Sequence, residues 1–270
     1  MDQGTRGTTN RPATAARIYD YCLGGIHNFP ADQEVARKLI AQFPFIPAVA
    51  RANRAFLRRA VRQLADAGVR QFLDIGSGIP TEGNVHDIAQ QVAPDSRVVY
   101  VDIDPVAVAE SLEILDGNER VTAVCADLRS PQTVLDHPGV RRMLDFDQPI
   151  GLLLASVLHF VPDDTQAYDA VAQLVAALAP GSYLVVSHAA TESFPHSSDR
   201  AKAADLYQRQ TATPGGSRTR SETERLFTGV ELVEPGVVWT HEWRPDPDES
   251  TEFADGPQRS GQWAGVGRTK

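Results

Sequence analysis

The chain has 270 residues, and its apolar fraction of 42% and charged fraction of 23% are those of an ordinary globular protein able to bury a sizeable core. A formal net charge of −9 argues against a nucleic-acid backbone as the main partner, because phosphate binding needs clustered positive charge. The only cysteines, Cys22 and Cys125, are too few for a disulfide framework, no apolar run is long enough to span a bilayer, and the polar stretch Met1–Asn10 lacks the apolar core of a signal peptide, so a reducing cytoplasm is the expected home.

In chain order, residues 1–10 read as a disordered tail and 11–68 as a helical N-terminal cap. Pro30 opens one helix with Asp32 as its cap, and Pro47 suits the first turn of another that stops at Gly68. Before them lies a glycine-hinged loop from Tyr21 to Phe29. Gly24 and Gly25 permit positive φ angles there, and Tyr21, His27 and Asn28 offer polar contacts. A lid hinge and a simple inter-helix turn look alike in such a segment. Arg51, Arg54, Arg58, Arg59 and Arg62 are spread around their helix and predict a solvated basic face.

From residue 69 to 270 the pattern is one doubly wound α/β domain. Strands are expected at 71–75, 97–102, 120–125, 150–155 and 182–188, with helices at 84–92, 105–115, 132–143 and 164–178 between them. Crossovers of that length imply parallel strands, and the nearly continuous apolar cores predict a sheet covered on both faces. Later residues suggest helices at 197–210 and 219–227, strands near 230–240 and 262–268, and an acidic loop from Asp246 to Pro257.

The first strand runs into Asp74, and Gly76 and Gly78 follow in a tight turn. A dinucleotide fingerprint would place its third glycine at Thr81, and Pro80 removes an N–H that a pyrophosphate would use. The turn therefore suits a nucleotide-like ligand without a diphosphate. Asp102, at the end of the second strand, can accept hydrogen bonds from a ribose diol or simply finish the strand. Asp104 reads as the cap of the helix opening at Pro105. Asp127, after the third strand, can accept from an adenine amine or cap the next helix. His86, early in the helix after the glycine turn, faces either the pocket or the surface. No histidine pair has the spacing of a zinc motif, so no metal is expected.

Together, Asp74, Gly76, Gly78, Asp102, Ala126, Asp127, the run Leu154–Asp164 and Ala179–Gly181 resemble the class I S-adenosylmethionine-dependent methyltransferases. The segments Tyr19–Phe29, Asn53–Arg59 and Trp263–Arg268 are similar to a largely uncharacterised actinobacterial branch of that superfamily. The resemblance implies a Rossmann-like, mostly parallel seven-stranded sheet whose last strand, Trp263–Arg268, is antiparallel, and S-adenosyl-L-methionine as cofactor. It also implies roles for particular residues. Asp74, Gly76 and Gly78 would cradle the amino-acid end of the cofactor, Asp102 its ribose, and Asp127 with the backbone of Ala126 and Leu128 its adenine. Ser156 would lie beside the methionine portion, and Tyr21 and Asn28 would form part of a closing lid. His159 would be a general base or a packing residue. Pro80 stands where many members carry another glycine. The expected reaction is methyl transfer to a small molecule. A nicotinamide-dependent oxidoreductase and a non-catalytic cofactor-binding protein are the alternatives, and oligomeric state is not legible.

Overall fold

In the computed structural model, residues 13–81, 83–193, 205, 215–247, 252–253 and 255–270 are described. The expected tail at 1–10 and, apart from residue 205, the expected helix at 197–210 lie outside them.

The central sheet forms from β1 (Gln71–Ile75), β2 (Arg97–Asp102), β3 (Val121–Cys125), β4 (Gly151–Ala155), β5 (Tyr183–Ala189), β6 (Glu231–Leu232), β7 (Val238–Trp239) and β8 (Gln262–Arg268). Their order is β3-β2-β1-β4-β5-β8-β6, with β7 also paired to β8. The first five are parallel, and β8 runs antiparallel to β5 from Tyr183 opposite Arg268 to Ala189 opposite Gln262. The sheet thus carries eight strands among the described residues, one more than expected. The segment expected as one strand near 230–240 is divided by a turn, in which Gly236 at φ 84° donates its N–H to Val233 O at 2.9 Å. The halves, β6 and β7, pair separately with β8.

Helices fill both faces, as the strands' apolar sequences require. They are α4 (Val85–Val92), α5 (Pro105–Ile114), α6 (Pro131–Leu135), α7 (Pro138–Met143) and α8 (Asp164–Ala176), with α9 (Arg220–Arg225) beyond β5. The single helix expected at 132–143 is two, because Pro138 starts a new helix rather than continuing the old one. Asp104 caps α5 as expected, accepting from Val106 N at 2.9 Å.

N-terminal to the sheet lie α1 (Ala15–Cys22), α2 (Pro30–Gln42) and α3 (Ile46–Asp66). Asp32 lies inside the first turn of α2 rather than at its cap, because Pro30 already has the helical φ and Phe29 is the last extended residue. From there its carboxylate accepts from Thr14 N at 3.0 Å, Phe29 N at 2.8 Å and Arg17 Nε at 2.8 Å, tying α1 to α2. The two ends of α3 have different neighbours. Ala50 packs with Ile18, Cys22 and Leu39 of α1 and α2, whereas Phe56, Leu57, Ala60 and Leu64 pack with Phe72, Leu153 and Val185 of the sheet.

The solvated basic face expected on α3 is real only in part. Arg51 and Arg58 are exposed, but Arg59 is 4% exposed and donates to Trp243 O at 2.9 Å and Thr240 O at 2.6 Å. Distant backbone carbonyls need a donor there, and the helix supplies one. None of the described helices is long and apolar enough to cross a membrane.

Phe56 is fully buried and meets Trp243 edge-to-face at 5.4 Å. Phe56→Ala should lower stability by about 3–5 kcal/mol through the cavity it leaves. The urea midpoint should fall while the slope of the transition stays constant.

Candidate active site

Parallel strands place their carboxyl ends along one edge, where ligands of such sheets bind. Above that edge lies a cavity of about 550 Å³, walled by the sheet on one side and by α1–α3 on the other.

The glycine turn after β1 is held from below. Gly76 N and Ser77 N both donate to Val101 O, at 2.7 and 3.1 Å. Gly76 has φ 73° and Gly78 φ 63°, the left-handed region that favours glycine. A Cβ on Gly76 would in addition overlap Val157, so no other residue fits there. Gly78 N donates to Asp102 Oδ2 at 2.8 Å, and Asp104 N to Oδ1 at 2.9 Å. Asp102 therefore orders the turn as well as facing the cavity. Burial pushes its carboxyl up, and the N–H groups of Asp104 and Gly78 offset part of that.

Asp74 is 5% exposed and lines the cavity. Burial holds its carboxyl up to about 7, with Arg54 acting against the rise and Asp102 adding to it. Asp127, after β3, is already gripped by Arg129. Arg129 Nη2 donates at 2.7 Å, and its Nε and backbone N at 3.0 and 2.9 Å. Burial raises the Asp127 carboxyl, but these bonds outweigh it and leave the carboxyl below its ordinary range. Ala126 and Leu128 line the same wall.

After β4, Ser156 adopts a left-handed φ of 54°, unusual for a side chain of any kind. Its N donates to Ser187 Oγ at 2.9 Å and its Oγ to Gln262 Oε1 at 2.9 Å. Ser187 Oγ in turn donates to Asn53 Oδ1 at 2.5 Å, and Asn53 Nδ2 to the Tyr19 hydroxyl at 3.0 Å. This network joins β4, β5 and β8 to α1 and α3 across the cavity wall.

His159 lies on a short 3₁₀ turn, Leu158–Phe160, and lines the cavity. Its Nδ1 is buried without a hydrogen-bond partner among the described residues. Burial, followed by the neighbouring His188 and Arg218, lowers its pKa to about 3. Arg218 is 3% exposed and holds this turn in place. It donates to Leu158 O at 3.2 Å and Val161 O at 2.9 Å, and it contacts His188 Nε2 at 2.6 Å and Asp164 at 3.0 Å.

Nine of the residues singled out in the sequence thus meet at one cavity: Asp74, Gly76, Gly78, Asp102, Ala126, Asp127, Leu128, Ser156 and His159. Tyr21 and Asn28 are not among its lining residues. Asn28 instead donates to Asp20 Oδ2 at 2.8 Å, and it is Tyr19 and Asp20, one helical step away, that face inward. His86 also points elsewhere, with Nδ1 2.7 Å from the Tyr100 hydroxyl. Sequence reasoning missed Asn53, Arg54, Ser187, Arg218 and Gln262. The adjacent Asn53 and Arg54, both polar on a helix face also carrying Ala50 and Leu57, were the one available signal for an inward polar pair.

A family model described as S-adenosyl methyltransferase matches residues 2–270. The chain belongs to this family. It is 41% identical to a DUF574-family protein from Streptomyces avermitilis MA-4680, covering 96% of this chain and 98% of that one with a TM-score of 0.88. A provisionally named methyltransferase from Thermobifida fusca YX is also 41% identical, covering 96% of each chain with a TM-score of 0.83. An O-methyltransferase family protein from Burkholderia thailandensis, at 13% identity, a TM-score of 0.50 and coverage of 83% of this chain and 60% of its own, shares the fold alone. No curated protein matches the chain.

Membership sets aside the nicotinamide reading and makes S-adenosylmethionine the cofactor of this methyltransferase. The cavity's chemistry fits that group. Asp102 has oxygen lone pairs left for a diol, and a glycine turn without a third glycine lies beneath. When bound, the cofactor supplies an electrophilic methyl group on a sulfonium.

Asp102→Ala should weaken binding of S-adenosylhomocysteine by about 1.5–3 kcal/mol, the range for hydrogen bonds to a charged group. Calorimetry on the folded variant tests this, and an unchanged affinity would reduce Asp102 to a turn-ordering residue.

Asp74 gives a pH signature in the ligand-free enzyme. Its folded pKa of about 7 exceeds its ordinary 3.8, so its contribution to stability is fully present below 3.8 and is lost as pH rises through 7. Asp74→Asn should therefore stabilise the ligand-free protein at about pH 8, by no more than roughly 4 kcal/mol, and lose that advantage near pH 4. Urea unfolding at the two pH values measures the difference.

Proposed function

We propose that this methyltransferase alkylates an uncharged small molecule held in the apolar arm of the cavity, with His159 accepting the proton released. The observation that carries this is the lining contributed by α1–α3, where Ile18, Leu23, Leu39, Ile46 and Val49 face the cavity. Such a wall favours an apolar body. Asp20, the acid in this region, is already satisfied by His27 N at 2.9 Å, Asn28 Nδ2 at 2.8 Å and the Thr81 hydroxyl at 2.7 Å. We read α1 and α2 as the lid, excluding water from a reactive sulfonium. In this reading Asp74, Gly76, Gly78, Asp102, Ala126, Asp127, Leu128 and Ser156 bind the cofactor. Both cysteines are free thiols, which suits the cytoplasm.

Among the described residues lining the cavity, His159 is the one with an open proton-accepting nitrogen. Its pKa, lowered to about 3, keeps the imidazole neutral throughout the working pH range with its Nδ1 open, and makes it a weaker base than a free histidine. Alignment supplies much of the remaining rate.

The test is release of S-adenosylhomocysteine in the presence of a panel of uncharged aromatic alcohols and amines, with carboxylated and phosphorylated analogues alongside. Turnover should be confined to the uncharged set. With a working acceptor, His159→Gln should lower kcat by about 10²-fold or more and leave cofactor affinity unchanged. Wild-type kcat at saturating cofactor should show no imidazole-like limb between about pH 5 and 8. Turnover only with charged acceptors would refute the assignment of the apolar arm.

A further inference from the structure

His159 sits on a 3₁₀ turn of three residues, a conformation whose own hydrogen bonds are few and poorly aligned. Its orientation has to come from outside, and one short segment beyond β5 supplies it. Gly216 N donates to His159 O at 2.8 Å. Arg218 brackets the same turn, Nη1 donating to Leu158 O at 3.2 Å and Nη2 to Val161 O at 2.9 Å, so that a bonded carbonyl lies on either side of His159.

The same guanidinium fixes the ring beside His159. A carbonyl only accepts, so His188 Nδ1, 2.9 Å from Ala189 O, carries the proton. His188 Nε2 is left to accept from Arg218 Nη1 at 2.6 Å. These two bonds give the fully buried His188 one tautomer and one orientation. Its ring meets that of His159 edge-on, with centroids 6.1 Å apart. Asp164 accepts from Arg218 Nε at 3.0 Å, and the Tyr168 ring centroid lies 5.7 Å from the guanidinium carbon.

A buried guanidinium used for packing alone could be replaced by apolar side chains at little cost. Arg218 instead directs its donors at the turn that carries His159 into the cavity and at the ring packed on it. Its charge also opposes a second positive charge on the neighbouring imidazole. We infer that Arg218 is the positioning residue for proton removal from the acceptor, fixing His159 through the backbone of its turn and through the His188 ring. This rests on His159 as the proton acceptor. A catalytic group needs its rotamer locked by such surrounding bonds, and a misplacement of about 1 Å can cost about 10²-fold in rate.

The test uses full-length protein in two measurements. The first is NMR of ¹⁵N-histidine-labelled enzyme, with the His159 ring signals assigned by His159→Gln. Arg218→Met should move those signals and raise the pKa of His159 above its wild-type value. The second is turnover of an uncharged aromatic alcohol or amine. Arg218→Met should lower kcat by about tenfold or more, and change the acceptor KM and S-adenosylhomocysteine affinity by less than about twofold. In the His159→Gln background it should cost less than about twofold further. Arg218→Lys, which keeps the charge but not the fork, should recover part of kcat. If Arg218→Met does not fold, as judged by circular dichroism, Arg218→Lys and His188→Gln carry the same comparisons. Unmoved His159 signals, or an equal loss of kcat with and without His159, would overturn the positioning role and leave His159 as the base. Wild-type turnover by His159→Gln would remove the base itself, and the role of Arg218 with it.

Discussion

The site depends on parallel register. β1, β2, β3 and β4 end level with one another: Asp74 lies opposite Tyr100 and Leu153, and Asp102 opposite Cys125. Side chains that are far apart in sequence thus emerge at one edge, and the turns that follow each strand become the walls of one cavity. The tightest point is Gly76. Its amide ends on Val101 O of the neighbouring strand, and Val157, from the turn after β4, fills the space where its side chain would be. Three strands are locked together at that residue, so the positions of Asp102 and Ser156 follow from it.

What was legible in the sequence was local. Continuous apolar strands, proline at helix starts and the glycine turn are all properties of short windows, and the boundaries of β1 and β2 could be read to the residue. Asp104 was legible for the same reason, since it acts on backbone two residues away, and Asp102 because it ends its own strand, although its bond to Gly78 N spans 24 positions. Even the reversed β8 was foreseeable, because resemblance supplied the topology that alternation only hinted at.

The rest was not legible because it is made of long-range bonds. Ser187 meets Asn53 across 134 positions, and Ser156 meets Gln262 across 106. No window contains both partners. The arginines of α3 illustrate the limit. Arg51, Arg54, Arg58 and Arg59 look alike in sequence, yet two are solvated, one faces the cavity and one is bonded to carbonyls more than 180 residues away. Charge composition describes the helix's average environment, and tertiary packing decides each residue's role. The same holds one step along α1. Tyr21 carries the more suggestive loop context, but helical rotation turns Tyr19 and Asp20 inward instead.

That dual character makes α3 more than a scaffold. Its apolar C-terminal half shares the buried core with the sheet, which fixes the helix axis as firmly as any strand. Its N-terminal half packs with α1 and α2, the layer that covers the cavity. Asn53 and Arg54 fall between the two halves, where a rigid support meets a wall facing the ligand. A polar residue placed there inherits the precision of the core without being sealed inside it.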